Sequence, residues 1–324
     1  MSASSTSVLP LVQVVDGLPM SKNAPIENIR SALSYIPRDD DVFIATYPKC
    51  GTTWAQQMLI LIFRHGKPLE SFMRFGAVSP FLDMAGVKAV EEMPRPNAIK
   101  THLPYHLAPH SVKAKYIYVT RNPKDCCVSY FHHTRDKGNY EFNGTFDDFF
   151  ELFLSGNVEF GDYFDHLLSW YYHRNDPNML FLTYEQMKED PSAAILKMAS
   201  FIDDDLYAEP LRNDPEKLRD IVKFSSFDYM KEATAKVIEE IKSMTEEDIA
   251  KSELPGHVKK FFSRVSEKSE NGFSKKKKFD GNLRKGITGD WKNYFSEDQS
   301  KRMEEKFAEK TKGTDLQNLW KDYI

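Results

Sequence analysis

The sequence predicts an α/β fold, a single domain in which a central, mostly parallel sheet is flanked by helices. Short apolar, β-branched runs alternate along the chain with longer segments whose apolar residues recur at helical spacing, as βα units require. The 324 residues are 41% hydrophobic and 28% charged, an ordinary composition for a folded chain. No glycine-, serine- or proline-rich linker is long enough to divide the chain, so one large core is expected.

Four strands are predicted from short runs of apolar and β-branched residues: 41–46, 98–101, 116–120 and 179–183. Five helices are predicted between and after them: 52–65, 123 to about 135, 145–154, 163–173 and 192–201. In the first helix Trp54, Met58 and Leu61 recur at helical spacing, and in the second Pro123 and Asp125 suit a first turn. Ligands of such folds bind at the carboxyl ends of the strands, so the candidate site follows these four strands.

The charge and the cysteines restrict the class of protein. The chain has 44 basic and 48 acidic residues, a net charge of −4, which excludes a strongly basic nucleic-acid-coating protein. Residues 257–292 nevertheless hold eleven Lys or Arg against four Asp or Glu, which indicates either an anionic ligand or a solvated loop. Three cysteines (Cys50, Cys126 and Cys127) form no disulfide framework, and no His/Cys cluster has metal-ligand spacing. Together with the lack of a secretory signal or of an apolar run long enough to span a bilayer, this predicts a cytoplasmic protein without a membrane segment or a metal.

The loop after the first predicted strand, 47–54, reads Tyr-Pro-Lys-Cys-Gly-Thr-Thr-Trp. It offers a cation, two hydroxyls and the free amides of a helix N-terminus, which together suit a phosphate-like anion. A Walker A loop aligned on Gly51 would need glycine at Thr46 and lysine at Thr52, and only Thr53 fits. The lysine has moved upstream to Lys49. The loop alone is equally consistent with an ordinary βα turn.

Taken with three further segments, this P-loop-like stretch resembles the 5′-phosphosulfate loop of the cytosolic sulfotransferases. The segments are 100–104 (Lys-Thr-His-Leu-Pro), 121–125 (Arg-Asn-Pro-Lys-Asp) with Ser129, and 284–293 (Arg-Lys-Gly-x-x-Gly-Asp-Trp-Lys-Asn). The resemblance covers about 41–295. It implies transfer of a sulfuryl group from 3′-phosphoadenosine-5′-phosphosulfate (PAPS), which leaves adenosine 3′,5′-bisphosphate (PAP), with no metal.

The resemblance also implies the site residues. His102 is expected to act as general base, with Lys49 and Lys100 stabilising the transferred group. The residues expected to bind the donor are Lys49, Cys50, Gly51, Thr52, Thr53, Trp54, Arg121, Ser129, Tyr184, Ser225, Phe227, Arg284, Lys285 and Gly286. Phe81 and Phe142 are the candidates for an acceptor wall beside His102. Five other histidines are assigned structural roles: His106, His132, His133, His166 and His173.

Two departures from the family pattern set further expectations. We expect residues 27–324 to form the sulfotransferase domain after an N-terminal extension, 1–26, and an insertion at about 231–280 to be either an enlarged lid or a surface segment. The family's dimer motif is altered, with Glu297 and Lys301 in place of valine and glutamate, which favours a monomer or a weak homodimer. The expected acceptor is a small aromatic phenol, catechol or monoamine, with a sterol-like or aliphatic alcohol as the alternative. Two other functions stay open: a P-loop nucleotide kinase, and a nucleotide-binding protein without turnover.

Overall fold

The computed structural model describes residues 12–22, 24–136, 142–270, 283–321 and 323. Residues 1–11 of the predicted extension and 271–280 of the predicted insertion lie outside these ranges. The described strands are β1 (Val12–Val15), β2 (Leu18–Ser21), β3 (Val42–Thr46), β4 (Ala98–Thr101), β5 (Lys115–Thr120) and β6 (Met179–Thr183). The last four form a parallel sheet in the order β4-β3-β5-β6, and β1 pairs antiparallel with β2. The predicted α/β class and central parallel sheet are confirmed.

The α-helices in the described ranges run as follows: α1 (Ile26–Leu33), α2 (Thr52–Phe63), α3 (Phe75–Val78), α4 (Leu82–Ala85), α5 (Val87–Glu91), α6 (Pro123–Asp136), α7 (Phe146–Ser155), α8 (Tyr163–Tyr171), α9 (Tyr184–Glu189), α10 (Pro191–Ile202), α11 (Glu209–Asn213), α12 (Pro215–Phe224), α13 (Phe227–Ser243), α14 (Glu246–Lys251), α15 (Gly256–Glu270) and α16 (Glu297–Lys310). Short 3₁₀ turns occur at Phe72–Arg74, Tyr105–Leu107, Asp290–Asn293 and Asp315–Asn318, and a π-helical turn at Asp204–Ala208. Each predicted helix is present, with ends that differ from the prediction by no more than two residues. Within the described ranges, no helix combines the length and the apolar character that crossing a membrane requires.

The central sheet is buried on both faces. Phe43 and Tyr116 point into a core built with α6, α7 and α8, whereas Ile44 and Ile117 point into a second core built with α2, α10 and α12. Both faces are apolar, which explains why the strands read as continuous hydrophobic runs instead of alternating ones. Because helices cover both faces, the carboxyl ends of the strands are left as the place where ligands can approach.

Two segments pack around this framework. Part of the predicted N-terminal extension forms the β1–β2 hairpin, in which Val15, Leu18 and Met20 are buried in the first core. The described part of the predicted insertion forms α13, α14 and α15. These three helices share a small apolar core with α3, and His257 Nε2 lies 3.0 Å from the carbonyl oxygen of Gly76. The insertion is thereby packed onto the segment that leads to Phe81.

Candidate functional site

The loop between β3 and α2 is shaped by two residues with left-handed backbone conformations. Lys49 has φ +71° and Gly51 has φ +97°. A Cβ at Gly51 would lie 2.8 Å from Cδ2 of Tyr184, so this position requires glycine for its conformation and for its contact with that ring. Helix α2 has neither a side-chain cap at its N-terminus nor an acidic residue in its first turn. Its first amides are therefore left for an anion.

Two other loop residues expected to bind the donor have side chains that contact the protein itself. The Thr52 hydroxyl lies 2.7 Å from the Thr46 hydroxyl, so it is engaged within the protein. Cys50 is fully buried, with its Sγ 3.7 Å from Sγ of Cys126. Its thiol packs the loop against α6, and a donor could contact only its backbone. Both residues thus contribute to the shape of the loop.

Two lysines, one in this loop and one at the end of β4, have depressed pKa values. Burial, together with the charges of Lys100 and Arg121, lowers the pKa of Lys49 to about 7. Burial lowers the pKa of Lys100 to about 8, against the opposing effect of Asp83 and Glu159. Lys49 Nζ also lies 3.3 Å from Nδ1 of His133. Cations that repel one another in a buried place favour a polyanionic ligand.

His102 lies directly after β4 and is buried. Its Nδ1 is 2.8 Å from the Thr46 carbonyl oxygen, which makes Nδ1 the protonated nitrogen and leaves Nε2 as a hydrogen-bond acceptor. Burial lowers the pKa of His102 well below its usual value, and the charge of Lys100 adds to this effect. The imidazole is therefore neutral at physiological pH, the form in which it can accept a proton.

Two phenylalanine rings surround the His102 ring. The Phe81 centroid lies 4.9 Å from that of His102, and the Phe160 centroid lies 5.2 Å from it. Phe142 is fully buried against Phe131 and Phe149, with centroids 6.5 Å and 5.8 Å away. The structure thus brings Phe81 to His102 and gives Phe142 a place in an aromatic core.

A second cationic region joins the end of β5 to the segment 284–291, which we call the C-terminal strap. Arg121 Nη2 donates to the carbonyl oxygen of Ile287 at 2.8 Å, and its guanidinium lies 4.4 Å from the Tyr184 ring centroid. Asp125, at the start of α6, accepts from the amides of Gly289 and Trp291 at 2.7 Å and 3.1 Å. These bonds hold the strap over the N-terminus of α6, the helix that also carries the buried Ser129.

The strap carries its own charges. Arg284 Nη2 lies 2.6 Å from Oδ2 of Asp290, and Lys285 Nζ lies 2.8 Å from Oδ1. Although burial raises it, hydrogen bonds from Lys285 and Arg284 lower the pKa of Asp290 to about 2. In the described part of the chain, Nε and Nη1 of Arg284 and Nε of Arg121 are buried without a hydrogen-bond partner. Burying a hydrogen-bond donor without a partner costs free energy unless a ligand pairs with it, and phosphate oxygens fit the geometry of these donors.

The predicted adenine-binding residues also lie together. The Trp54 and Tyr184 rings pack edge to face at 5.4 Å, beside Gly51. Phe227, at the start of α13, lies directly below Gly286, where a Cβ would come within 2.4 Å of its ring. The Ser225 hydroxyl donates to the carbonyl oxygen of Ile221 at 2.7 Å. The aromatic rings expected to hold the base thus lie close to Gly51 and Gly286, whereas the Ser225 hydroxyl is already engaged with its own helix.

Sequence reasoning missed three residues of this site. His133, for which the sequence predicts a structural role, contacts Lys49, and its i, i+4 spacing from Ser129 on α6 is the signal that indicates this position. Phe160 reaches His102 from a loop whose φ of +67° has no sequence signature. Asp83 binds the end of β4 from a distant short helix. Among the residues that the structure describes, no group of three or more His, Cys, Asp or Glu side chains could hold a metal ion.

The chain is similar to known proteins over most of its length. It matches the sulfotransferase domain profile in two overlapping segments, 39–276 and 235–315. It is 37% identical over 289 residues to an amine sulfotransferase of Oryctolagus cuniculus, covering 87% of this chain and 84% of that relative. It is 33% identical over 305 residues to sulfotransferase 1C2 of Homo sapiens, covering 90% of each.

Solved structures give the same result. Mouse sulfotransferase SULT7A1 complexed with PAP is 29% identical, with a TM-score of 0.68 over 97% of this chain and 98% of that one. Retinol dehydratase in complex with androsterone and PAP also has a TM-score of 0.68, over 95% of this chain and 92% of that one. Its identity to this chain is 24%, so this second likeness concerns the fold alone.

Proposed function

This chain belongs to the sulfotransferase family and is a PAPS-dependent sulfotransferase, and on that premise we propose that it sulfates a hydroxyl or amine of a small aromatic acceptor with His102 as general base. The observation that carries the proposal is the hydrogen bond between Nδ1 of His102 and the Thr46 carbonyl. It fixes the tautomer in which Nε2 has a free lone pair. The same Thr46 bonds Thr52 at the start of α2, so the base is tied to the donor loop.

The candidate donor-binding residues form two groups, one for each end of the donor. The amides at the start of α2 and Lys49 would hold the 5′-phosphosulfate end, and Arg121, Ser129, Arg284, Lys285 and Gly286 would hold the 3′-phosphate. The buried, unpaired nitrogens of Arg121 and Arg284 support this assignment. PAPS supplies the activated sulfuryl group. Lys49 and Lys100 would offset the negative charge that moves to the leaving phosphate and the transferred group.

The acceptor side is apolar and aromatic. Phe81 and Phe160 flank the His102 ring, and their centroids are 6.5 Å apart, which suits a flat ring lying beside the base. The rabbit relative is named an amine sulfotransferase, so aromatic amines join phenols and catechols as the first candidates. Sterol-like and aliphatic alcohols are the second group of acceptors to compare.

The packing of the insertion supports a further part of the proposal. Helices α13 to α15 share an apolar core with α3 and reach the segment before Phe81, so they would form a lid on the acceptor side. Deleting 236–270 should then alter the KM for the acceptor more than the affinity for PAP. Unchanged acceptor selectivity would refute the lid and leave a surface insertion.

A cytoplasmic location and a monomer or weak dimer belong to the same proposal. The cytoplasmic location is supported by three free, buried cysteines.

The test is transfer of sulfate from labelled PAPS, without added metal, to a panel of phenols, catecholamines, aromatic amines, sterols and simple alcohols. We expect turnover of the aromatic members and loss of at least a hundredfold in kcat for His102→Gln with PAP binding retained. Phosphoryl transfer that depends on Mg-ATP would favour a kinase. PAP binding without turnover of any member would favour a nucleotide-binding protein.

A further inference from the structure

Asp83 is a buried carboxylate placed against the end of β4. It lies on α4 and its exposed fraction is 0%. Its Oδ1 accepts a hydrogen bond from the Thr101 hydroxyl at 2.7 Å, and its Oδ2 accepts one from the backbone amide of His102 at 2.6 Å. Both oxygens are thus directed at two consecutive residues of the strand end that carries the proposed base.

The residues just before Asp83 hold the third residue of that strand end. The Lys100 amide donates to the carbonyl oxygen of Pro80 at 2.9 Å, and Lys100 Nζ lies 3.9 Å from the centroid of the Phe81 ring. Phe81 also contacts the His102 ring. A single segment, 80–83, therefore fixes Lys100, Thr101 and His102 from one side.

The charge of Asp83 matters as well as its hydrogen bonds. Burial raises the pKa of Asp83 to about 7, while the bonds from His102 and Thr101 act in the opposite direction. The carboxylate in turn raises the pKa of Lys100 against the effect of burial, as does Glu159. Lys49 and His166 are the other titratable groups that face His102. A fully buried carboxylate is costly, so its placement here calls for a role that an apolar side chain could not fill.

We propose that Asp83 is a positioning residue for sulfuryl transfer: its carboxylate fixes the Thr101 side chain and the backbone of His102, and its charge acts on the neighbouring Lys100. Asp83 itself touches neither donor nor acceptor. The role rests on the function proposed above for His102 and Lys100. It differs from a purely structural role because it predicts an effect on the pH dependence of turnover.

Two variants separate the charge of Asp83 from its hydrogen bonds. In Asp83→Asn, the amide oxygen can still accept from His102, and the amide nitrogen can donate to Thr101 after the hydroxyl turns, so the shape is kept and the charge is lost. Thr101→Val is the matched control, since it removes the hydroxyl that donates to Asp83 and accepts from the Leu103 amide, and keeps the charge of Asp83. Kinetics with PAPS and 2-naphthol or 2-naphthylamine, measured from pH 6 to 10, are the readout.

We expect Asp83→Asn to lower kcat at least tenfold with the KM for PAPS within twofold, and to move the alkaline limb of the kcat profile to lower pH. The direction follows because Lys100 loses the anion that favours its protonated form. Thr101→Val should leave the alkaline limb in place. An Asp83→Asn variant with wild-type kcat and an unmoved alkaline limb would overturn the proposal.

A second measurement is independent of turnover. In protein labelled with ¹⁵N-histidine, the His102 amide signal, assigned by its loss in His102→Gln, should shift as the pH passes through about 7 and should shift less in Asp83→Asn, in which Lys49 still titrates near this pH. A His102 amide that does not titrate in the wild type would overturn the positioning role. Wild-type protein that titrates as expected but sulfates neither naphthyl compound would instead refute the proposed acceptor class.

Discussion

At Gly286, a single added methyl group should displace the C-terminal strap from the proposed donor site. Its φ is +66°, and a Cβ added to it would lie 2.4 Å from Cδ2 and 2.8 Å from Cγ of Phe227. Alanine in this backbone region costs ~1 kcal/mol, and a clash with a packed ring adds about 1–3 kcal/mol. Either Phe227 or the strap must move. Because Phe227 starts α13 and the strap carries Arg284 and Lys285, both outcomes disturb the proposed donor site.

The expected result for Gly286→Ala is a loss of PAP affinity of roughly ten- to a hundredfold, about 1.4–2.8 kcal/mol, measured by isothermal titration calorimetry. Gly289→Ala is the matched control. Gly289 also has a left-handed φ, +80°, but a Cβ there would meet nothing within 4 Å, so it tests backbone strain without the clash. If the two variants bind PAP equally, contact between Gly286 and Phe227 does not shape the donor site, and the reasoning fails.

Three further predictions concern single side chains. His102→Gln should lower kcat by at least a hundredfold while calorimetry shows an unchanged affinity for PAP; a parallel loss of both would mean that His102 serves binding rather than proton transfer. Since burial lowers the pKa of Lys49 to about 7, the affinity for PAP should fall between pH 7 and 9 in the wild type. It should fall less in Lys49→Arg, whose guanidinium stays charged, and an equal fall in both proteins would contradict this prediction. Burial raises the pKa of Asp83 from 3.8 to about 7, so the stability it contributes is present while it is protonated and is lost as the pH rises through 7. In urea denaturation at pH 8, the free energy of unfolding of Asp83→Asn should therefore exceed that of the wild type by up to ~4 kcal/mol, and the difference should be smaller at pH 5. A variant that is less stable than the wild type at pH 8 would refute this prediction.

The fold could be predicted from the sequence because its signals are local. The strands at 98–101 and 179–183 have the predicted bounds, since short apolar runs between polar residues leave little choice of register. The helices α2 and α6 begin at the predicted residues, Thr52 and Pro123, because a glycine turn and a proline mark their starts. The β1–β2 hairpin was not predicted. The local sequence of this segment resembles an unstructured extension, and its order is explained by the packing of Val15, Leu18 and Met20 into the first core.

The conformation of the donor loop is easier to predict from the sequence than the surroundings of His102, for a physical reason. Lys49 and Gly51 lie in one contiguous loop whose conformation follows from local residue types. The environment of His102 is assembled from distant segments: Phe81 precedes a four-residue helix, and Phe160 is placed by the hydrogen bond that its amide donates to the carbonyl oxygen of Pro19 in the hairpin, at 2.7 Å. Nothing in the local sequence specifies such long-range contacts, which also explains why Phe142 was placed beside His102 when it packs in an aromatic core.

The arrangement of charges explains how the site can recognise a polyanion. Three carboxylates hold the segments that carry the cations. Asp125 accepts from the backbone of the strap, Asp83 accepts from the backbone of His102, and Asp290 forms an ion pair with Lys285 within the strap itself. The cations are therefore positioned by carboxylates without being fully neutralised, and the pKa of Lys49 is lowered to about 7 as a result of burial and of its charged neighbours. Such a site is unfavourable while the donor is absent, because buried positive charges repel one another. A ligand that binds only the folded state stabilises it in proportion to RT ln(1 + [L]/Kd), so PAPS or PAP should stabilise this chain by removing that repulsion. The stability of the donor-free protein is then lower than that of the working enzyme, and a loss of Asp125 should weaken both donor binding and the stabilisation that the donor brings.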